Sequence, residues 1–259
     1  MSAPKLLLYH DLTLRRSLPA DEAAHRLDAQ LTGIRRAGMT FRTMQEYVEG
    51  RLGPRDVVVT FDDALRSFHD VAWPVLRHHN VSPALFVVSG FAGRSDAREV
   101  LMNWDEVAAL AEQGVSIGCH AATHVPLDQI EPTRMHDEIS RSASAFEARG
   151  IPVNTFAYPF GRYSDAVKNA VEAAGFQAAF TVMKGGADRF EIRRRLLTGG
   201  EPPWWFRFAL SDRFFEVRDG ARAVVPRRFL KQEQPVARSR WGAAALGLPE
   251  LEPEDGSRV

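Results

Sequence analysis

The chain has 259 residues, 45% of them hydrophobic, and its 33 Lys plus Arg balance its 33 Asp plus Glu. That length suits one large α/β domain or two small ones, and zero net charge leaves no overall field to gather nucleic acid or an anionic membrane. A single cysteine, Cys119, excludes an intramolecular disulfide framework and any multi-cysteine zinc site.

Leu6-Leu7-Leu8-Tyr9 reads as a first buried strand ending at His10 and Asp11. Its apolar run is too short for a signal-peptide core, and no segment approaches the length of a membrane span, so the expected compartment is the cytoplasm. Pro19 opens a helix with Leu27, Leu31 and Ile34 at helical spacing and Gly38 as its stop. Thr43 and Glu46 form a capping-box pair for a short second helix. Val57-Val58-Val59-Thr60-Phe61 is a strand apolar enough to be buried on both faces, and it stops on Asp62 and Asp63. Phe68, Val71, Val75 and Leu76 mark a helix that Pro74 kinks or shortens. Ala84-Leu85-Phe86-Val87-Val88 is the next strand, and Asn103 with Glu106 caps a helix through Leu110. Val115-Ser116-Ile117-Gly118 then delivers Cys119 and His120. A longer helix follows Pro132, with Met135, Ile139 and Phe146 inward. Thr155-Phe156-Ala157-Tyr158 is a strand ended by Pro159, and Ser164 caps a helix carrying Val167 and Val171. Residues 176–182 return as a strand, and Leu196-Leu197 is a short last one.

This alternation predicts a parallel sheet, open or closed. About seven βα units in roughly 210 residues favour an irregular barrel over a doubly wound sheet. The expected architecture is a single α/β domain, a distorted (β/α) barrel over residues 1–220. Residues 221–259 read as a Pro/Arg-rich, then acidic, tail with partial disorder.

Asp62 and Asp63 close a strand at the carboxyl edge of that sheet, where α/β folds place their chemistry. Two adjacent carboxylates need a compensating partner, and a metal ion is the simplest. His120-Ala121-Ala122-Thr123-His124 supplies candidate ligands: on a helical turn, histidines four apart share one face with Cβ atoms about 5–6 Å apart. That suits two bonds of about 2.0–2.1 Å to one ion. By itself the pair also reads as a solvated turn; the strand-end acids favour the ligand reading. Two histidines and a carboxylate, with a position open to water, is the composition of a hydrolytic metal site.

Thr60-Phe61-Asp62-Asp63, His120-Ala121-Ala122-Thr123-His124 and Phe156-Ala157-Tyr158-Pro159-Phe160-Gly161 resemble, in order and spacing, the first three motifs of the polysaccharide deacetylases (carbohydrate esterase family 4, the NodB-homology family). The resemblance covers roughly residues 6–208. It implies a distorted (β/α) barrel that removes N-acetyl groups from N-acetylaminosugar-containing glycans or related acetamides with one divalent metal, most often zinc. It implies Asp63, His120 and His124 as metal ligands and Asp62 as general base, which fits the ability of a divalent ion to acidify water and of an adjacent carboxylate to take the proton. The backbone N–H of Phe160 is the implied oxyanion donor, since Pro159 has none. Tyr158, Pro159 and Arg162 are the expected substrate-side residues of this turn.

Three departures stand out. Ala64 replaces the glycine that commonly follows the acidic pair. Ala157 stands where the family has a base-orienting arginine, for which Arg162 is the nearby substitute. No histidine follows His136, so the late Leu-x-His motif that supplies the general acid has no counterpart; His10, at the end of the first strand, is the replacement candidate. Among other residues, Cys119 reads as a small buried side chain rather than a nucleophile, and Trp104 as the anchor of its helix start. Trp204-Trp205-Phe206 stacks on a sugar or packs a helix against the barrel. Arg193-Arg194-Arg195 and the basic tail (Arg222, Arg227, Arg228, Lys231, Arg238, Arg240) read as solvated charge or an anion contact.

The sequence thus points to a metal-dependent hydrolase deacetylating an aminosugar-containing glycan or its precursor. Alternatives are a deacetylase or amidohydrolase of a small acetylated amine or cyclic amide, and a degenerate barrel that binds glycan without hydrolysing it.

Overall fold

The structure, a computed structural model, describes residues 3–13, 18–92, 100–182, 185–186 and 188–224. β1 (Lys5–Tyr9) leads into α1 (Ala20–Arg36), the two-residue β2 (Thr40–Phe41) and α2 (Met44–Val48). β3 (Asp56–Asp62) is followed by α3 (Trp73–His78), β4 (Ala84–Val87) by α4 (Trp104–Glu112), β5 (Ser116–Cys119) by α5 (Pro132–Glu147), and β6 (Thr155–Ala157) by α6 (Asp165–Ala173). β7 (Ala178–Thr181), β8 (Ile192–Arg193), β9 (Arg195–Leu196), α7 (Pro203–Ala209) and α8 (Phe214–Val224) follow. Both capping boxes form, Thr43 with Glu46 and Asn103 with Glu106, and Ser164 caps α6. Pro74 sits in the first turn of α3 directly after a wider π-turn at Phe68–Ala72. There its missing N–H costs no interior helix bond. The basic tail from residue 225 and the side chain of Arg222 lie outside the described residues.

The strands pair in parallel in the order β8-β7-β6-β5-β4-β3-β1-β9, with β2 attached to the start of β3. Only Arg194 separates β8 from β9. One extended segment therefore pairs with β7 through Ile192 and Arg193, then with β1 through Arg195 and Leu196. The Arg194 N–H donates to the Thr181 carbonyl and the Leu197 N–H to the Leu8 carbonyl. The two edges of the sheet are joined by the same piece of chain, giving the nearly closed parallel barrel that the alternation predicts. The last strand lies one residue earlier than Leu196-Leu197, and the short β2 and β8 carry no apolar run to announce them.

Alternation along β3 sets the site. Val57, Val59 and Phe61 face outward into the helix layer, where Leu27, Leu31 and Ile34 of α1 are fully buried. Each of those side chains stabilises the α1 contact by about 1.5–3 kcal/mol. Val58 faces inward with Leu6, Ala84, Phe86, Ala157 and Phe180. Thr60 and Asp62 share its parity, so the first acid of the pair is aimed into the mouth of the barrel.

Candidate metal centre

Asp62 and Asp63, adjacent in sequence, occupy opposite electrostatic environments. Asp62 receives two parallel hydrogen bonds of 2.7 Å from the Arg194 guanidinium, which also donates to the Thr60 hydroxyl at 3.2 Å. Arg194 is 1% exposed and lies over the Phe86 ring at 5.0 Å. Burial alone raises the Asp62 carboxyl; the charge and hydrogen bonds of Arg194 outweigh it and hold the group down at about 2. Asp63 has no hydrogen bond of this kind. Its carboxylate is buried, neither oxygen has a hydrogen-bond partner, and burial followed by the charge of Asp62 pushes it well above the usual carboxylate range.

The two histidines complete this second environment. Asp63 Oδ1 lies 3.6 Å from His120 Nε2 and 3.5 Å from His124 Nε2. One ligand atom from each of the three residues falls within 4.8 Å of the others. The His120 Nδ1 lies 2.7 Å from the Ala157 carbonyl, which fixes Nδ1 as the protonated nitrogen and leaves Nε2 with its lone pair facing the centre. Burial lowers both histidines, so they are neutral imidazoles at pH 7, the form in which a histidine can bind a metal. A buried carboxyl group with no donor and two neutral imidazoles aimed at the same point fit a divalent cation, and among the described residues no side-chain cation hydrogen-bonds to Asp63.

The residues are positioned by strained backbone rather than by helix. The predicted helical turn at 120–124 is instead an irregular loop with Ala121 at φ 62° and His124 at φ 55°. Two left-handed residues fold the loop back so that the imidazole centroids stand 4.8 Å apart. Asp63 and Ala64 are left-handed too, at φ 76° and 56°. Such conformations cost about 1–3 kcal/mol each and collect at functional sites. Phe160 (φ 59°) and Gly161 (φ 61°) make a third such turn, where a Cβ on Gly161 would fall 2.7 Å from the Val182 backbone nitrogen. The Phe160 ring packs 4.6 Å from the His124 ring, which brings its backbone to the same rim.

His10 reaches the site as its strand-end position suggests, with Nε2 3.9 Å from Asp62 Oδ2. Burial lowers its pKa to about 4, with Asp62 opposing, so it stands there as a neutral imidazole. Arg162 does not pair with Asp62: it is committed to Asp128 through three hydrogen bonds of 2.7–3.2 Å. The guanidinium that holds Asp62 is that of Arg194, one of three arginines expected at the surface. Arg195 is also buried and donates to the Ala209 carbonyl, while Arg193 pairs with Asp219. Tyr158 is not a substrate contact, being fully buried with its hydroxyl donating to the Phe190 carbonyl at 3.0 Å; Pro159 is buried beside it. Cys119 is buried, donates to the Ser142 hydroxyl and is pushed up to about 12 by burial, which removes it as a nucleophile. Trp104 packs on Phe146 as a helix anchor. Trp205 packs on Phe208 and Phe214, leaving Trp204 as the exposed ring of that trio at 71%.

A nearly closed parallel barrel carrying a buried Asp-His-His group beside an ionised carboxylate at its carboxyl-end mouth has the composition of a metal hydrolase. Residues 49–179 match the family model described as polysaccharide deacetylase, and the chain belongs to that family. It is 28% identical over 134 residues to YxkH of Bacillus subtilis, covering 51% of this chain and 47% of that protein. It is 22% identical over 189 residues to the poly-β-1,6-N-acetyl-D-glucosamine N-deacetylase of Staphylococcus epidermidis, covering 66% of this chain and 65% of that one. The chain thus spans about half the length of the first relative and less than two thirds of the second. The deacetylase PplD of Streptococcus pyogenes shares its fold, with a TM-score of 0.70 at 19% identity over 81% of this chain and 98% of that one. Among the described residues no helix is long and apolar enough to cross a membrane.

Proposed function

We propose that this chain is a metal-dependent deacetylase that hydrolyses the N-acetyl group of an aminosugar-containing glycan or glycan precursor, with zinc as the metal. The observation that carries the proposal is the split between the two acids. Asp63 is buried with no hydrogen-bond donor and faces His120 and His124, whereas Asp62 is held ionised by Arg194. Family membership and the N-deacetylase among its relatives support the choice of an N-acetylated sugar.

Asp63, His120 and His124 would hold the ion, which when bound acidifies water and polarises the acetamide carbonyl. Asp62 then acts as general base, and its low pKa means it is a carboxylate at any pH at which the protein works. The Phe160 N–H is the donor assigned to the developing oxyanion. His10 is the candidate to pass the proton on to the departing amine, a reading supported by its neutral form and its 3.9 Å distance from the Asp62 oxygen. Arg194 fixes the plane of the Asp62 carboxylate without touching substrate.

The test separates ligand from base. Purified wild type should bind about one zinc and release acetate from N-acetylglucosamine oligomers; Asp63→Asn should lose the zinc, and Asp62→Asn should keep it and lose turnover by about 10²–10⁴. Full activity in both variants would overturn the site. Zinc binding with acetate released from a small acetamide but from no sugar oligomer would overturn the glycan as substrate.

A further inference from the structure

Glu138 lies in the middle of α5 and is buried, yet all three of its hydrogen bonds go to neutral donors. Its Oε2 accepts from the Ala122 N–H at 3.1 Å and the Thr123 N–H at 2.8 Å, and its Oε1 from the Thr123 hydroxyl at 2.5 Å. These are the donors at the centre of the loop whose ends are His120 and His124. On its other side the loop is tied by its carbonyls, Ala121 accepting from the Ser89 N–H and Ala122 from the Gly90 N–H. One helix turn further along α5, Ser142 accepts from Cys119 at the end of β5. A single face of α5 therefore grips the segment that carries both imidazoles.

The loop needs that grip. Ala121 and His124 are both left-handed, a conformation that an isolated chain of these residues leaves readily. Without Glu138, two N–H groups and a hydroxyl would be buried unpaired, and the backbone would satisfy them by relaxing toward ordinary φ values. That relaxation would spread the imidazoles from the 4.8 Å centroid separation that lets them meet one ion.

We infer that Glu138 is a positioning residue of the metal centre, holding His120 and His124 at ligand spacing without itself reaching the ion; the inference rests on the metal reading above. Zinc affinity of the full chain, measured by competition with a chromophoric chelator well below the melting temperature, tests it. Glu138→Ala should weaken zinc binding about 10–100-fold while far-UV circular dichroism stays that of the wild type. Glu138→Gln should recover most of the loss, since its amide oxygen accepts both N–H groups and the Thr123 hydroxyl turns to accept from the NH₂. Thr123→Val should lose affinity and Thr123→Ser should not. Zinc binding in Glu138→Ala within about twofold of wild type would overturn the inference, because outer-shell partners ordinarily act far more strongly. A Gln variant as weak as the Ala variant would overturn it as well, by making charge and not position the cause. Should Glu138→Ala fail to fold, equal affinities of Thr123→Val and Thr123→Ser decide against it. A wild type that binds no zinc is a different failure, that of the metal site itself.

Discussion

Replacing Arg194 by Met keeps an unbranched side chain between Phe86 and Phe180 but removes the charge and both hydrogen bonds to Asp62. Asp62 keeps its burial, which raises its pKa, and loses the strongest influence holding it near 2. Returning it only to an ordinary carboxylate value of about 3.9 is a change of roughly 2 units, or about 2–3 kcal/mol, and uncompensated burial carries it further. The sign follows: a base depressed in the folded state is ionised down to low pH, so the acid limb of kcat/KM lies below the working range in the wild type. In Arg194→Met it should move upward by at least about 2 pH units. The ion pair also contributes stability that is present above about pH 4 and fades as pH falls toward 2. Its loss should therefore lower the melting temperature at neutral pH, in line with the roughly 3–5 kcal/mol seen when one partner of a buried pair is removed. Acetate release across pH 4–9 on folded, zinc-loaded protein is the assay. Zinc affinity should stay within a few-fold, since no ligand is touched. In an Asp62→Asn background the Arg194 substitution should have little further effect on turnover, as expected for a residue acting through Asp62. A wild-type acid limb and turnover in Arg194→Met would refute this account of the base.

Burial and the neighbouring charge of Asp62 favour the protonated form of Asp63, whereas a ligating carboxylate must be deprotonated, so zinc affinity should rise with pH, read by chelator competition across a pH series. An affinity that does not change with pH would refute this reading of Asp63. His10→Ala should lower kcat on an acetamide by about 10²–10⁴ and barely change hydrolysis of an aryl acetate, whose leaving group needs no proton; equal losses on both would exclude His10 as the proton carrier. Tyr158→Phe should leave KM unchanged and lower stability by about 1 kcal/mol, through the unpaired Phe190 carbonyl, in chemical denaturation. A raised KM with unchanged stability would restore Tyr158 to the substrate side.

What the sequence made legible was local. The apolar runs at 57–61 and 84–88, the paired caps and the acids that end β3 each declare themselves within about seven residues, where strand and cap preferences act. Spacing also brought His120 and His124 together, but it gave the wrong backbone. Four residues apart describes a helical turn and a doubly left-handed loop equally well, and nothing in Ala121 advertises φ 62°. Tyr158 was misplaced because the carbonyl that takes its hydroxyl, Phe190, is 32 residues away.

Arg194 is the sharpest case. It stands 132 residues from Asp62, in a run of three arginines whose composition reads as solvent-facing. Its burial follows from closure, since the segment that pairs with β7 and then β1 passes through Arg194 where it changes partner. Asp62 gave the complementary signal. A carboxylate at an inward position of a buried strand requires a cation, and Ala157 in the third motif does not supply one. The barrel thereby ties its topology to its chemistry. The guanidinium that fills the interior over Phe86 is also the group that keeps Asp62, the proposed base, ionised. A chain in which β8 and β9 failed to close would therefore keep Asp63, His120 and His124 on their own strand ends while losing the partner of Asp62.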